Sequence, residues 1–141
     1  MKVVQILKNK SPEVHSVNQT TSILDALSIM MDKNISALLI IEEDILHGIF
    51  SERDYARKII LQGKSSKDTM ISEVMTRNLT TVTQNDSIDH CMQLMTDKHI
   101  RHLPVVENGK VLGLISIGDI VKNIIEEQKQ TIQQLQTYIH S

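Results

Sequence analysis

Gly48-Ile49-Phe50-Ser51-Glu52-Arg53-Asp54 recurs 65 residues later as Gly113-Leu114-Ile115-Ser116-Ile117-Gly118-Asp119. In both stretches an apolar run reaches a serine, and a helix opens with an aspartate three residues on. The same shift overlays residues 17–60 on 82–125 without a gap. Ser22-Ile23 falls on Ser87-Ile88, and Asp32-Lys33 on Asp97-Lys98. Two copies of one unit usually cannot bury their apolar faces separately, so the repeat describes two halves of one core.

Each copy reads as strand, helix, strand, strand, helix, which makes the fold class α/β. In the first copy Val14 to Val17 forms a short strand. Thr21 or Ser22 caps a helix whose apolar positions Ile23, Leu27, Met30 and Met31 recur at helical spacing. Ala37 to Ile41 is a continuous apolar run, as in a strand buried on both faces. Ile45 to Phe50 returns beside it, and the following helix ends near Leu61 with Gly63 as its cap. The second copy runs Thr80–Val82, Ser87–Lys98, Leu103–Glu107 and Val111–Ile115, with a helix from Ile117 to about Ile139. Asn108-Gly109 is a hairpin turn signal there. The chain divides into an N-terminal segment (1–12) packing on the module, repeat 1 (13–62), a linker with a short helix through Met70–Met75 (63–77), repeat 2 (78–125) and a C-terminal helical extension (126–141).

The totals exclude several function classes. At 141 residues and 40% hydrophobic, the chain suits one compact module. A net charge of -2 without a basic run argues against nucleic acid, and 2% aromatic content offers no base-stacking platform. No apolar run is long enough for a membrane span. A single cysteine, Cys91, cannot form an internal disulfide, which fits a reducing compartment. The expected setting is the cytoplasm.

Ser51/Asp54 and Ser116/Asp119 are first of all capping residues. A cap explains one occurrence well. It explains less well why both types recur, three residues after a glycine that permits close approach. A helix N-terminus favours phosphate, and an aspartate one turn in can accept from vicinal ribose hydroxyls. Val17, Ala37 and Ile49 are the small or β-branched residues suited to an apolar ligand slot, with core packing as the competing reading for each.

The double Gly-x-x-Ser-x-x-Asp, the strand–helix order and Ile100-Arg101-His102-Leu103-Pro104-Val105-Val106 together resemble tandem CBS domains, the Bateman module. With Phe50-Ser51-Glu52-Arg53-Asp54-Tyr55-Ala56-Arg57-Lys58, the chain is similar to short stand-alone bacterial CBS-pair proteins. The resemblance covers about residues 3–125. It implies a pair of β-α-β-β-α repeats related by a pseudo-two-fold axis, with clefts that bind adenosine-containing ligands and no catalysis. AMP is the favoured ligand, with ADP, ATP, NAD(H) or S-adenosylmethionine as alternatives, and the role implied is sensing of energy or redox state. Asp54 and Asp119 would hold ribose hydroxyls, and Ser51 and Ser116 would meet the ribose or phosphate.

The copies differ at Arg53 against Gly118, and at Arg101-His102 against Ser36-Ala37. The resemblance implies that each cleft joins the aspartate helix of one repeat to the hairpin region of the other, which would gather Arg53, Arg101 and His102 at Asp54. The expectation is then a phosphate site at Asp54 and a weaker or differently used site at Asp119, where Lys122 is the only charge.

Three other readings compete. An interaction module with vacant clefts is one. Metal or redox response through Cys91, His99 and His102 is another, but those residues span a helix end and a strand start and do not obviously converge. An enzyme would need a nucleophile and base in reach, and no nucleophile elbow, P-loop or dinucleotide fingerprint is present. The six internal methionines read as core or interface filler. In the last helix Ile125, Ile132 and Ile139 recur every seven residues, as do Val121, Gln128 and Leu135. That narrow seam suggests packing against a partner helix, with a solvated tail helix as the competing reading because Gln128 and the Gln-rich run 128–136 weaken it. The resemblance implies a homodimer, with an unidentified regulated protein as the further partner.

Overall fold

A computed structural model describes residues 1–140. The elements are α1 (Val3–Lys8), β1 (Ser16–Val17), α2 (Ile23–Lys33), β2 (Ala37–Glu42), β3 (Ile45–Ser51) and α3 (Glu52–Asp54), which continues as π-helix over Tyr55–Ile60. A 3₁₀ turn at Ile71–Glu73 precedes α4 (Ile88–Lys98), β4 (His102–Glu107), β5 (Lys110–Ser116) and α5 (Ile117–His140). Ser141, the last residue of the expected extension, lies outside the described residues.

The repeat is visible down to single hydrogen bonds. Ser22 and Ser87 cap α2 and α4 by accepting from the N–H groups of Asp25 and His90 at 3.1 and 3.0 Å. Asn34 and His99 end those helices in the left-handed conformation, with Ile35 and Ile100 donating back to Met30 and Met95. Both hairpins carry two positive-φ residues, Glu43-Asp44 and Asn108-Gly109, and both slip register at the same place, Ile40/Ile41 and Val105/Val106. Only the second turn uses the glycine that makes such a turn cheap.

Two expected strands shrink. Val14–Val17 is reduced to Ser16–Val17, which pairs in parallel with Leu39 and Ile40. Thr80–Val82 is reduced to one parallel bridge, Val82 with Val105, at the position equivalent to Val17 with Ile40. Proline explains the second loss. In the first repeat Leu39 donates its N–H to His15 at 3.4 Å, but the equivalent residue in the second repeat is Pro104, which has no N–H. The linker helix expected through Met70–Met75 is a single 3₁₀ turn. On α2, Met31 is 78% exposed, not on the apolar face, because Ile23, Ala26 and Met30 already fill the buried arc and Met31 lies beyond its edge. Met70 is also exposed.

Two apolar clusters form, and each borrows from outside its own repeat. Val3 and Ile6 of α1 are buried with Val82, Ile88, Cys91, Leu103 and Ile115 in the core of the second repeat. Ile71, Val74 and Met75 of the linker are buried with Ile23, Leu38, Ile40, Phe50 and Ile59 in the core of the first. Backbone bridges follow the same exchange: Lys2 pairs with Ser87, and Met70 with Ser22. The segment that leads into each repeat therefore completes the other one.

Candidate functional site

Each β-hairpin delivers its serine to the helix start by register. Ala37 is the cross-strand partner of Ser51, and His102 that of Ser116. Directly opposed residues share a face, so Ala37 and His102 lie on the side of the sheet where the serines and aspartates stand. Reciprocal capping then fixes the aspartates. The Ser51 N–H donates to Asp54 Oδ2 at 2.9 Å and the Asp54 N–H to Ser51 Oγ at 3.2 Å. The matching distances at Ser116 and Asp119 are 2.9 and 3.1 Å. The first helical N–H groups are also engaged: Glu52 donates to the Ser36 carbonyl and Ile117 to the Arg101 carbonyl. The helix N-terminus expected for phosphate is thus largely closed by the chain itself in both copies.

Beyond the caps the copies diverge. Thr76 Oγ1 donates to Asp54 Oδ1 at 3.1 Å, and the Lys58 ammonium lies 3.2 Å from the same oxygen while donating to the Val74 carbonyl at 2.9 Å. Asp119 meets instead the ammonium of Lys10, 2.7 Å from Oδ2, which also donates to the Leu114 carbonyl at 2.7 Å. Asp119 lines a pocket of about 360 Å³ with Lys10, Ser11, Ser36, Ala37, His102 and Ser116.

The charges expected at Asp54 are distributed differently. His102 lines the Asp119 pocket, with its Nε2 2.7 Å from Ser36 Oγ, because pairing with Ser116 fixes its face. Burial lowers its pKa, Asp119 and Asp54 oppose that, and Lys10 and Arg101 reinforce it, so the ring senses both clefts. Arg53 donates through Nη1 to the His99 carbonyl at 2.7 Å, tying the first repeat to the end of α4. Arg101 is exposed and acts on His102 through its charge. Nor is Lys122 the only charge at Asp119, since Lys10 arrives from the N-terminal segment. Of the apolar candidates, Ala37 is buried in the pocket wall and Val17 packs on the first-repeat core. Ile49 exchanges two backbone hydrogen bonds with Thr76, at 2.8 and 3.0 Å.

Lys10 and Thr76, which meet the two aspartates, escape motif reading because both precede the repeats proper. A signal existed: the 65-residue frame, extended backwards, sets Ser11-Pro12 against Thr76-Arg77. Cys91 is buried and its thiol pushed up to about 11 by desolvation, with Asp86 adding to the rise, so it stays protonated near neutrality. Among the described residues no three metal-ligating side chains converge, and no helix is long and apolar enough to cross a membrane.

The CBS domain pattern matches residues 5–61 and 71–126. Among curated relatives, a mitochondrial CBS domain-containing protein of Arabidopsis thaliana is 42% identical over 123 residues. That match takes in 84% of this chain but only 60% of the relative's length. The YhcV protein of Bacillus subtilis is 32% identical, with 79% of each chain covered. Among solved structures, a protein with CBS domains from Burkholderia ambifaria is 46% identical, with a TM-score of 0.87 over 91% of this chain and 96% of that one. The CBS domain pair of protein MJ0100, solved with 5′-methylthioadenosine and S-adenosyl-L-methionine, is 30% identical with a TM-score of 0.80, covering 90% and 98%. Fold, repeat and family pattern agree that this chain belongs to the CBS-domain family, as a tandem pair of the kind that serves as a regulatory module.

Proposed function

We propose that the module is a non-catalytic sensor that binds adenosine-containing ligands in the clefts between its repeats, with AMP as the first candidate. The observation that carries this reading is the Asp119 pocket. It presents a carboxylate, a serine hydroxyl, an ammonium and an imidazole beside the apolar Ala37, the mixture that a ribose, a phosphate and a base require. In this reading Asp54 and Asp119 accept from ribose hydroxyls, Ser51 and Ser116 meet ribose or phosphate, and Arg53, Arg101 and His102 supply donors to phosphate. Ala37, Val17 and Ile49 wall the adenine. S-adenosylmethionine is the second reading, favoured by the ligands of the MJ0100 pair.

A bound ligand shifts the relative orientation of the repeats only as far as it prefers one orientation. The output is a regulated protein or a second copy of the chain. The exposed seam of α5 (Val121, Ile125, Ile132, Leu135, Ile139) supports homodimer formation. Calorimetric titration with AMP tests the site: Asp119→Ala or Asp54→Ala should weaken binding by roughly 10-fold or more, the scale of a charge-assisted hydrogen bond. Unchanged affinity in both variants would remove the aspartates from the site.

A further inference from the structure

We propose that the Asp119 cleft is the module's principal ligand site, and that Lys10, from the segment ahead of the first repeat, makes it prefer adenosines carrying a 5′-phosphate. The inference rests on the adenosine-binding reading and ranks the two clefts within it, in the order opposite to the one the sequence suggests.

A carboxylate offers about four acceptor positions, two on each oxygen. At Asp54 three accept hydrogen bonds, Oδ2 from the Ser51 N–H and hydroxyl at 2.9 and 3.2 Å and Oδ1 from the Thr76 hydroxyl at 3.1 Å, and the Lys58 ammonium is ion-paired to Oδ1 at 3.2 Å. A ribose arriving there must displace bonds the chain already makes, at a side chain only 13% exposed. At Asp119 only Oδ2 is engaged, by the Ser116 N–H and by Lys10. Oδ1 accepts no hydrogen bond among the described residues, so it is open to a ribose hydroxyl.

Lys10 is equally poised. Its ammonium has three donors, of which two go to Asp119 and the Leu114 carbonyl. The third has no partner among the described residues, and the side chain is 35% exposed at the pocket. A phosphate gains a charge-assisted hydrogen bond from it. An uncharged 5′-group gains nothing, and the sulfonium of S-adenosylmethionine is repelled.

The test compares AMP with adenosine by calorimetry on the full chain, in wild type, Lys10→Met, Lys10→Arg and Lys8→Met. Lys8→Met removes the same charge from the same segment at an exposed residue away from the pocket. Lys10→Met should weaken AMP by roughly 10- to 100-fold while adenosine stays within about 3-fold, Lys10→Arg should restore most of the preference, and Lys8→Met should leave the ratio unchanged. An AMP-to-adenosine ratio independent of Lys10, or equally sensitive to Lys8, overturns the inference and leaves the adenosine reading standing. Wild type that binds neither ligand overturns both.

Discussion

A Cβ built on Gly48 would lie 2.7 Å from the Met75 sulfur and 2.9 Å from the Thr76 carbonyl oxygen, whereas one on Gly113 would meet only Leu7 Cδ2, also at 2.9 Å. A leucine methyl can rotate away and a bridged backbone carbonyl cannot. Gly48→Ala should therefore cost about 1–3 kcal/mol and Gly113→Ala distinctly less, read from urea unfolding midpoints. Equal losses would mean that Leu7 is held as firmly as the Thr76 backbone. His102 gives a pH signature at the same scale. Burial favours its neutral ring, so between the folded-state pKa and the ordinary 6.5 the unfolded chain holds more protons than the folded one. This site's contribution to stability is full above pH 6.5, falls as pH drops through that value, and levels off below the folded-state pKa. Lys10, Arg101, Asp119 and Asp54 are the charges that set where it levels off. The unfolding midpoint of wild type should fall faster on acidification from pH 7 to 5 than that of His102→Gln, and parallel curves would assign the acid sensitivity elsewhere.

At the scale of elements, the exchange of leading segments is the feature with most consequence. Ile6 and Ile71 are both fully buried, but neither in the core of the repeat that its segment leads into. Ile6→Ala and Ile71→Ala should each lose about 2–5 kcal/mol. Hydrogen exchange should localise the first loss to α4, β4 and β5 and the second to α2, β2 and β3. Exchange rising instead in the repeat that each segment leads into would contradict the crossed packing. The helices, both hairpins and the long α5 were legible in the sequence, because capping serines, a turn glycine and 3.6-residue periodicity are local signals. The crossing was not legible. The apolar residues of 3–7 and 71–75 announce amphipathic segments but not which core receives them, and the missing strand at Thr80–Val82 depends on one absent N–H at Pro104, 24 residues away.

For the whole molecule, the 65-residue echo revealed two equivalent aspartates but not their unequal surroundings. Asp54 and Asp119 carry the same cap, and what separates them, Thr76 and Lys58 against Lys10, comes partly from segments outside the aligned repeats. The expectation that Arg53 and His102 gather in the Asp54 cleft as phosphate donors did not anticipate that Arg53 reaches the end of α4 and that His102 follows its strand partner Ser116. Assembly is a separate question with its own test. Ile132 and Leu135 are each more than half exposed on α5. Ile132→Glu should convert a dimer to a monomer in sedimentation equilibrium, and an unchanged mass would remove this seam from the interface. The adenosine reading itself is tested most directly by melting the full chain with AMP, ADP, ATP, NAD(H), 5′-methylthioadenosine and S-adenosylmethionine in turn. A ligand at about 100 times its Kd adds about 2.7 kcal/mol to stability. AMP should give a clear rise in melting temperature that Asp119→Ala abolishes. No rise with any adenosine ligand would contradict the adenosine reading and leave a module that works through its surfaces alone.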